Sequence, residues 1–291
     1  MGTSKQLWVK TIAGLFVVGI FLVAMASIDG CKKNDNSVDA GAGDTGISAA
    51  DETADAADAV SDAVAGNNGG AMDQVNDVFE IAGGASIGSA GEGGLAKAFG
   101  DSTSLTYNAS DTSWSLYVYR QRGVSWWLRN YWHQFVGSSG KAQAQRSGAV
   151  KINHKLLNGG GHFQTLRLIH DLQSISSNWT AALNGDTTVT INGTYNRSGR
   201  DSLILGNRKG TTLASSLSLT LKNVTGPRGR RVARSAATSG TIDVVYSVTI
   251  TVPGKTPVTR TKSFTITLGG GNASFAIDGT NYTADLDTGD H

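Results

Sequence analysis

From Ser104 onward, apolar and polar residues alternate along the chain with a period of two. Ile242, Val244, Tyr246, Val248, Ile250 and Val252 stand against Thr241, Asp243, Val245, Ser247, Thr249 and Thr251. The same rhythm recurs at Trp114, Leu116 and Val118, at Val150 and Ile152, at Leu166, Leu168, His170 and Leu172, at Leu217, Leu219 and Leu221, and at Phe264, Ile266 and Leu268. In an extended chain successive side chains point to opposite faces. Alternation over this length therefore predicts long strands with one dry face and one wet face, a pattern that belongs to antiparallel pairing. Asn184-Gly185, Asn192-Gly193 and Asp278-Gly279 read as two-residue hairpin turns, which need positive φ at their centre. Gly159 to Gly161 and Gly269 to Gly271 read as longer connections, and Pro227, Pro253 and Pro257 fall between strand-like runs. The spacing predicts nine to eleven strands in meander order.

Ahead of residue 101 the period lengthens. Met72, Val75, Val78, Phe79 and Ala82 recur at helical spacing, with Asp73, Gln74, Asn76, Asp77 and Glu80 on the opposite side, so a short amphipathic helix is predicted with Phe79 as its anchor. Gly83 and Gly84 end it, and a Gly-rich hinge follows to about residue 100. Residues 34–70 hold no aromatic side chain and are rich in Ala, Asp, Gly, Ser and Asn. Too little apolar surface is present to offset ordering entropy, so residues 31–70 read as an acidic tether with at most a frayed helix over Ala49 to Ala65.

Long meander strands twist, and instead of staying flat they either curl into a barrel or half-barrel or fold into a sandwich. The fold class expected is mainly β: a curved antiparallel meander over residues 101–291, half-barrel or barrel-like, with the short N-terminal helix of residues 71–100 packed on it. A transmembrane barrel is the competing arrangement, but the apolar positions are no more numerous than one core requires.

The first thirty residues follow neither pattern. Lys5 and Lys10 precede or open an uncharged, mostly apolar run from Thr11 to Ile28, and Ser27 to Gly30 lead directly to Cys31, the single cysteine of the chain. A positive n-region, an apolar core and a cysteine at the end resemble the type II signal peptide of bacterial lipoproteins. The resemblance covers residues 1–33, with Asp29 where that class usually has a small uncharged residue. It implies removal of residues 1–30, a lipid such as palmitate carried by Cys31, and a chain held to a membrane of the cell envelope, the outer membrane being favoured. With one cysteine no disulfide can form within the chain, so stability must come from burial and sheet hydrogen bonds.

Charge divides the chain at the same point as the pattern. From Lys32 to Asp101 there are thirteen acidic residues against three basic, a balance of −10, while the part from Ser102 carries twenty basic against nine acidic, +11. The acidic stretch either folds back on the basic domain or stays extended. Screening over about 8 Å at physiological salt makes extension the default expectation.

Candidate binding residues cluster in one predicted hairpin. Tyr117, Tyr119, Trp127, Arg129, Tyr131, His133 and Phe135 are candidates for a groove that takes an apolar or amphiphilic ligand, because aromatic faces with a few polar groups stack on sugars or hold lipid chains. The competing reading makes them cross-strand packing pairs. Arg228, Arg230, Arg231 and Arg234 form a candidate anion contact, since guanidinium forks suit the phosphates of lipid head groups or other envelope polymers. His154, His162 and His170 are spaced by eight, but neither ligand spacing nor second shell marks a metal site. No Gly-x-Ser-x-Gly, His-Glu-x-x-His or phosphate-binding glycine loop occurs, so no cofactor, metal or catalytic role is expected. The expected partners are the membrane, through Cys31, and a lipid or envelope polymer; nucleic acid is not expected. The function read from the chain is a tethered envelope protein that binds an apolar or amphiphilic ligand or a partner surface, with a structural or adhesive surface module as the alternative.

Overall fold

The structure, a computed structural model, describes residues 48–66, 70–83, 102–164, 168–204, 209–229 and 234–291. The predicted signal segment, Cys31, the start of the tether and the Gly-rich hinge lie outside the described residues. Two helices come first, α1 (Ala49–Val64) and α2 (Ala71–Gly83). Twelve strands follow: β1 (Ser102–Asn108), β2 (Ser113–Arg122), β3 (Ser125–Gly137), β4 (Ala142–Gln143), β5 (Ala149–Gln164), β6 (Leu168–Asn184), β7 (Thr188–Leu203), β8 (Thr212–Pro227), β9 (Ser239–Thr251), β10 (Val258–Gly269), β11 (Asn272–Ile277) and β12 (Thr280–Asp285). A four-residue helix, α3 (Arg234–Ala237), sits between β8 and β9.

All strands join one sheet in chain order, with only the two-residue β4 off the path, where it pairs β3. Every pairing is antiparallel. The sheet is a mainly β meander, as the alternation requires, and it is not closed into a barrel, because among the described residues β1 and β12 end the order and do not pair with each other. Register irregularities line up across neighbouring strands. They occur at Asn130/Tyr131 between β3 and β5, at Leu172/Ser174 between β6 and β7, and between the β5–β6 pairs Leu156↔Ser177 and Gly161↔Leu172. Bulges bend and overtwist a strand, so a row of them is a line of curvature. Gly159, Gly160 and Gly161 belong to this row, inside β5, and do not form the connection that the sequence implied.

Asn192-Gly193 likewise lies inside β7, at a bulge between Ile191 and Gly193. Gly193 has φ 143°, and a Cβ there would meet Asn178 O at 2.2 Å and Trp179 Cα at 2.8 Å. Backbone proximity to Trp179 and positive φ both demand glycine at this point. The other turn signals mark turns. Gly185 opens the β6–β7 connection at φ 62°, and Asp278 (φ 49°) and Gly279 (φ 84°) connect β11 to β12 as a primed turn.

The helices fill the curve of the sheet. Phe79 is fully buried, as predicted, and its ring lies over β8 at Gly226, where an added Cβ would stand 2.3 Å from Phe79 Cε2. Met72, Val75, Val78, Ile81 and Ala82 join it in one cluster with Leu116, Ile152, Trp179, Ile191, Tyr195, Leu219, Leu221 and Ile242 from the sheet. The polar side of α2 is also enclosed, because a helix inside a curved sheet has few directions facing water. Gln74 is fully buried and accepts a hydrogen bond from Ser177 Oγ (3.1 Å), and Asp73 pairs with Arg129.

The segment 49–65 departs from the tether reading. It forms the regular helix α1, with Ser48 accepting a hydrogen bond from Asp51 N as N-cap, and it buries Ala56, Ala57, Val60, Ala63 and Val64 in the same cluster. Small side chains suffice because the helix lies close against its neighbours. What was a composition too poor to fold alone becomes an ordered layer once α2 and the sheet supply the apolar surface. The acidic stretch thus folds back onto the basic domain over residues 48–83.

Candidate functional site

Strand parity sorts the predicted aromatic cluster. Leu116, Val118 and Arg120 of β2 pair with Tyr131, Arg129 and Trp127 of β3, and all six face the helices. His133 and Phe135 continue that concave row, and Arg129, Tyr131, His133 and Phe135 are all buried. Tyr117 and Tyr119 sit one residue out of phase and so take the convex face. Tyr117 is 39% exposed, and Tyr119 stacks on Trp126 with ring centroids 6.2 Å apart. The seven candidates are therefore divided between two faces, five concave and two convex, and do not form one groove.

Of the concave five, Trp127, Arg129 and Tyr131 line a cleft of about 940 Å³ between α1, one side of α2 and strands β3 and β5–β10, and His133 and Phe135 do not. Its apolar surface includes Trp127, Phe163, Leu172, Ile175, Leu217 and Val248. The volume lies in the range of about 300–1,000 Å³ usual for small-molecule sites, which are likewise mostly apolar with a few placed polar groups. At the side nearest α2, Arg129 donates to Asp73 Oδ2 at 2.7 Å and to Tyr131 Oη at 3.0 Å, and its guanidinium lies 4.9 Å from the Trp127 ring centroid. Burial alone would lower the arginine's proton affinity. Tyr131 and the Asp73 carboxylate outweigh it, and Arg129 stays cationic. Burial pushes the Tyr131 hydroxyl upward, and raises Tyr246, also on the cleft, to about 12 with Asp201 and Asp55 contributing.

Across the cleft a chain of polar groups ties sheet to helix. His170 Nδ1 hydrogen-bonds Asp201, His170 Nε2 accepts from Arg197 Nη2 at 3.3 Å, and Arg197 reaches Asp62 of α1 at 3.4 Å. Further along, Arg260 Nε donates to Glu52 of α1 at 3.1 Å. These ion pairs strap α1 over the cleft. An Asp–His pair can orient a general base, but here the outward nitrogen faces a guanidinium instead of a hydroxyl, so the arrangement fixes position.

A second polar cluster lies deeper. His133 and His154 are cross-strand neighbours whose Nδ1 atoms are 3.1 Å apart, stacked in a row with Tyr131 and Trp179. Both are essentially inaccessible, and among the described residues neither Nε2 has a hydrogen-bond partner. Burial lowers the His133 pKa to about 4, and burial together with the neighbouring His133 lowers His154 well below its usual value. The pair is therefore neutral at ordinary pH, one ring donating and the other accepting. The three histidines spaced by eight separate: His154 is in this core pair, His162 pairs with Asp171 at 2.6 Å on the convex side, and His170 lies on the cleft. Among the described residues no group of three or more His, Cys, Asp or Glu is placed to hold a metal ion.

The arginine loop takes a different role where it is described. Arg228 donates from Nε to Ala82 O at 2.6 Å and from Nη1 to Gly185 O, and Arg146 donates to the same Ala82 carbonyl at 2.9 Å. Gly229 N adds a bond to Phe79 O at 3.2 Å. Arg228 thus satisfies the carbonyl end of α2, as cations at a helix C-terminus commonly do, and its Nη1 lies 3.6 Å from Asp186 Oδ1. Arg234 opens α3, whereas Arg230 and Arg231 lie outside the described residues.

No protein-family model matches the chain, and neither a curated protein nor a solved structure matches it. The cleft itself was not legible in the sequence, since its wall α1 read as tether and its Arg–carboxylate straps join positions more than 130 residues apart. The charge division at residue 101 was the available signal: the acidic and basic halves become opposite walls of one cleft.

Proposed function

We propose that the chain is a lipid-tethered envelope protein whose concave cleft binds an apolar or amphiphilic ligand without transforming it. The observation that carries this reading is the cleft of about 940 Å³, with an apolar floor and charged residues around its opening. That combination suits a molecule with a hydrocarbon part and a polar end better than a fully polar substrate, because burying unpaired polar groups against Trp127, Leu172 and Leu217 costs free energy. The N-terminal pattern supports the placement: a lysine-flanked apolar run ending at Cys31 suits lipid attachment, and a domain held at a membrane meets amphiphiles at high local concentration. Of the four arginines read as an anion contact, Arg228 is engaged with α2, and Arg230 and Arg231 lie outside the described residues, so the cleft alone carries this reading.

Two measurements test the reading. Mass spectrometry of the full chain, extracted and purified without detergent exchange, is expected to show co-purified lipid at up to one molecule per chain; repeated isolation of an empty cleft counts against it. Labelled palmitate should enter the wild-type chain and not Cys31→Ala, and equal labelling of both removes the tether.

A second reading, a structural or adhesive surface module, is favoured by β1. This edge strand carries no charged residue and exposes Leu105 (41%) and Tyr107 (38%). Unpaired, uncharged edges invite pairing with another chain. Protease shaving of intact cells distinguishes the two, since an adhesive module must be accessible at the cell surface.

A further inference from the structure

Exposed apolar side chains gather at the end of the sheet that holds the cleft. In an antiparallel meander the start of β3, the end of β5, the end of β7 and the start of β8 lie together, and the lining residues Trp127, Phe163, Leu203 and Leu213 bring the cleft to that end. Val124 stands at the tip of the Gly123-Val124 turn between β2 and β3 and is 65% exposed. Phe163, 36% exposed, lies one residue beyond the Trp126↔His162 pair, so its ring is next to that turn. The two hairpin ends are tied together, since Gln164 N donates to Ser125 Oγ at 3.3 Å. Behind them, on the convex face, Trp126 and Tyr119 are half-buried and stacked on one another. We infer that this end of the domain docks on the surface of the membrane that tethers the chain, with Val124 and Phe163 entering the bilayer interface and the cleft facing the lipid; the inference rests on the tether at Cys31 proposed above.

The occupant follows from where the chain leaves the domain. Ser48 caps α1, and Glu52 and Thr53, one turn on, reach Arg260 near the start of β10 and Asp278 in the β11–β12 turn, both at this same end of the sheet. Sixteen residues separate Ser48 from Cys31, a reach of at most about 60 Å. A lipid on Cys31 therefore keeps this end within that distance of a bilayer. Two apolar side chains would not hold a free protein there, but the tether makes the contact intramolecular in effect, and a single acyl chain needs a second attachment for stable anchoring. Trp126 and Tyr119 suit the boundary, each being apolar in body with a polar handle. Charge gives the contact its character. The described turns at this end hold the exposed Lys209 and Lys255, against Asp51, Glu52 and Asp278, of which Glu52 is engaged by Arg260 and Asp278 by Lys262. Neither sign dominates, so the contact depends on insertion of the tips and not on attraction to head groups. A cleft at this end takes its amphiphile from the bilayer without a passage through water.

The test uses the full chain, purified from cells and reconstituted on liposomes of phosphatidylcholine and phosphatidylglycerol. An environment-sensitive fluorescent amino acid is installed at position 124 or, as control, at the exposed position 187, in the β6–β7 turn at the opposite end of the sheet. Lipids brominated along their chains serve as quencher, and flotation of the liposomes reports whether the chain is held at all. Expected is a blue shift at 124 with quenching roughly threefold or more that at 187, persisting at high salt because insertion and not charge makes the contact. If the chain floats but 124 is quenched no more than 187, the docking inference falls and the tether stands. A blue shift at 124 without quenching by the brominated lipids means burial against protein, such as a second copy, and also overturns it. Quenching that disappears in high salt would replace insertion by electrostatic adsorption and contradict the account. If the wild-type chain does not float, tether and docking fall together.

Discussion

The docking of α2 into the curved sheet can be tested through one contact, the Phe79 ring over Gly226. An alanine at this position would place its Cβ 2.3 Å from Phe79 Cε2, a separation that no folded protein tolerates, so the ring or the strand must move. Overpacking of this kind costs about 1–3 kcal/mol. Gly226 has no positive φ, so the backbone accepts alanine and the cost is that of the clash. Phe79→Ala alone removes a fully buried ring and should cost about 3–5 kcal/mol. Combined, the two changes relieve one another. The methyl group added by Gly226→Ala enters the cavity left by the missing ring and recovers about 0.8 kcal/mol, the value of one buried methylene. In the Phe79→Ala background the Gly226→Ala step should therefore be neutral or slightly stabilising, and the cycle should show coupling of about 1–3 kcal/mol. Equilibrium urea unfolding of the full chain, followed by tryptophan fluorescence, reads all four corners. Additivity within about 0.5 kcal/mol would mean that Phe79 does not lie over Gly226, and the placement of α2 would be refuted.

Other expectations follow from the same packing. His133 and His154 are held neutral by burial, so the unfolded chain binds protons that the native chain does not. Stability should fall as pH drops from about 6.5 toward 4, by up to about 1.4 kcal/mol per pH unit for each histidine. Replacing both with apolar residues, His133→Leu with His154→Phe, should flatten that slope in urea titrations at pH 4.5 to 7, and an unchanged slope places the titration elsewhere. Arg228→Ala, which leaves the Ala82 carbonyl with Arg146 alone, should cost about 1–3 kcal/mol and speed amide exchange in the last turn of α2 before it affects the strands. Gly193→Ala must push Cβ into Asn178 O and Trp179 at a φ of 143°. It should destabilise by more than about 2 kcal/mol and shift the Trp179 emission; a change below about 0.5 kcal/mol would contradict the β7 bulge.

The strands and their order were readable because alternation of the Ile242 to Val252 kind carries its own geometry. One face must be dry, and hairpin turns between such runs leave little choice but a meander. Phe79 was readable for the same reason, as the widest apolar residue in a helical stripe. Glycine signals were ambiguous. Asp278-Gly279 does form a turn, but Asn192-Gly193 and Gly159 to Gly161 serve bulges and close approaches inside strands, where the same freedom of φ or lack of Cβ is needed for a different purpose. The site was harder to read for reasons of register and distance. Tyr117 and Tyr119 are interleaved with the concave residues in sequence, and only the pairing of Leu116 with Tyr131 fixes which side they take. His133 and His154 meet only once β3 and β5 are paired past the short β4 excursion. Helix α1 is poor in large apolar residues, so its burial depends on surface that α2 and β11 supply and that local composition does not reveal.

The most direct test of ligand binding in the cleft is photocrosslinking in living cells from a photoreactive residue at position 163, on the cleft, and at position 117, on the convex face. Mass spectrometry of the purified adducts should find a single-chain or double-chain amphiphile attached at 163 and none at 117. Protein or polymer adducts at 117 with nothing at 163 would contradict ligand binding in the cleft and favour the adhesive surface module.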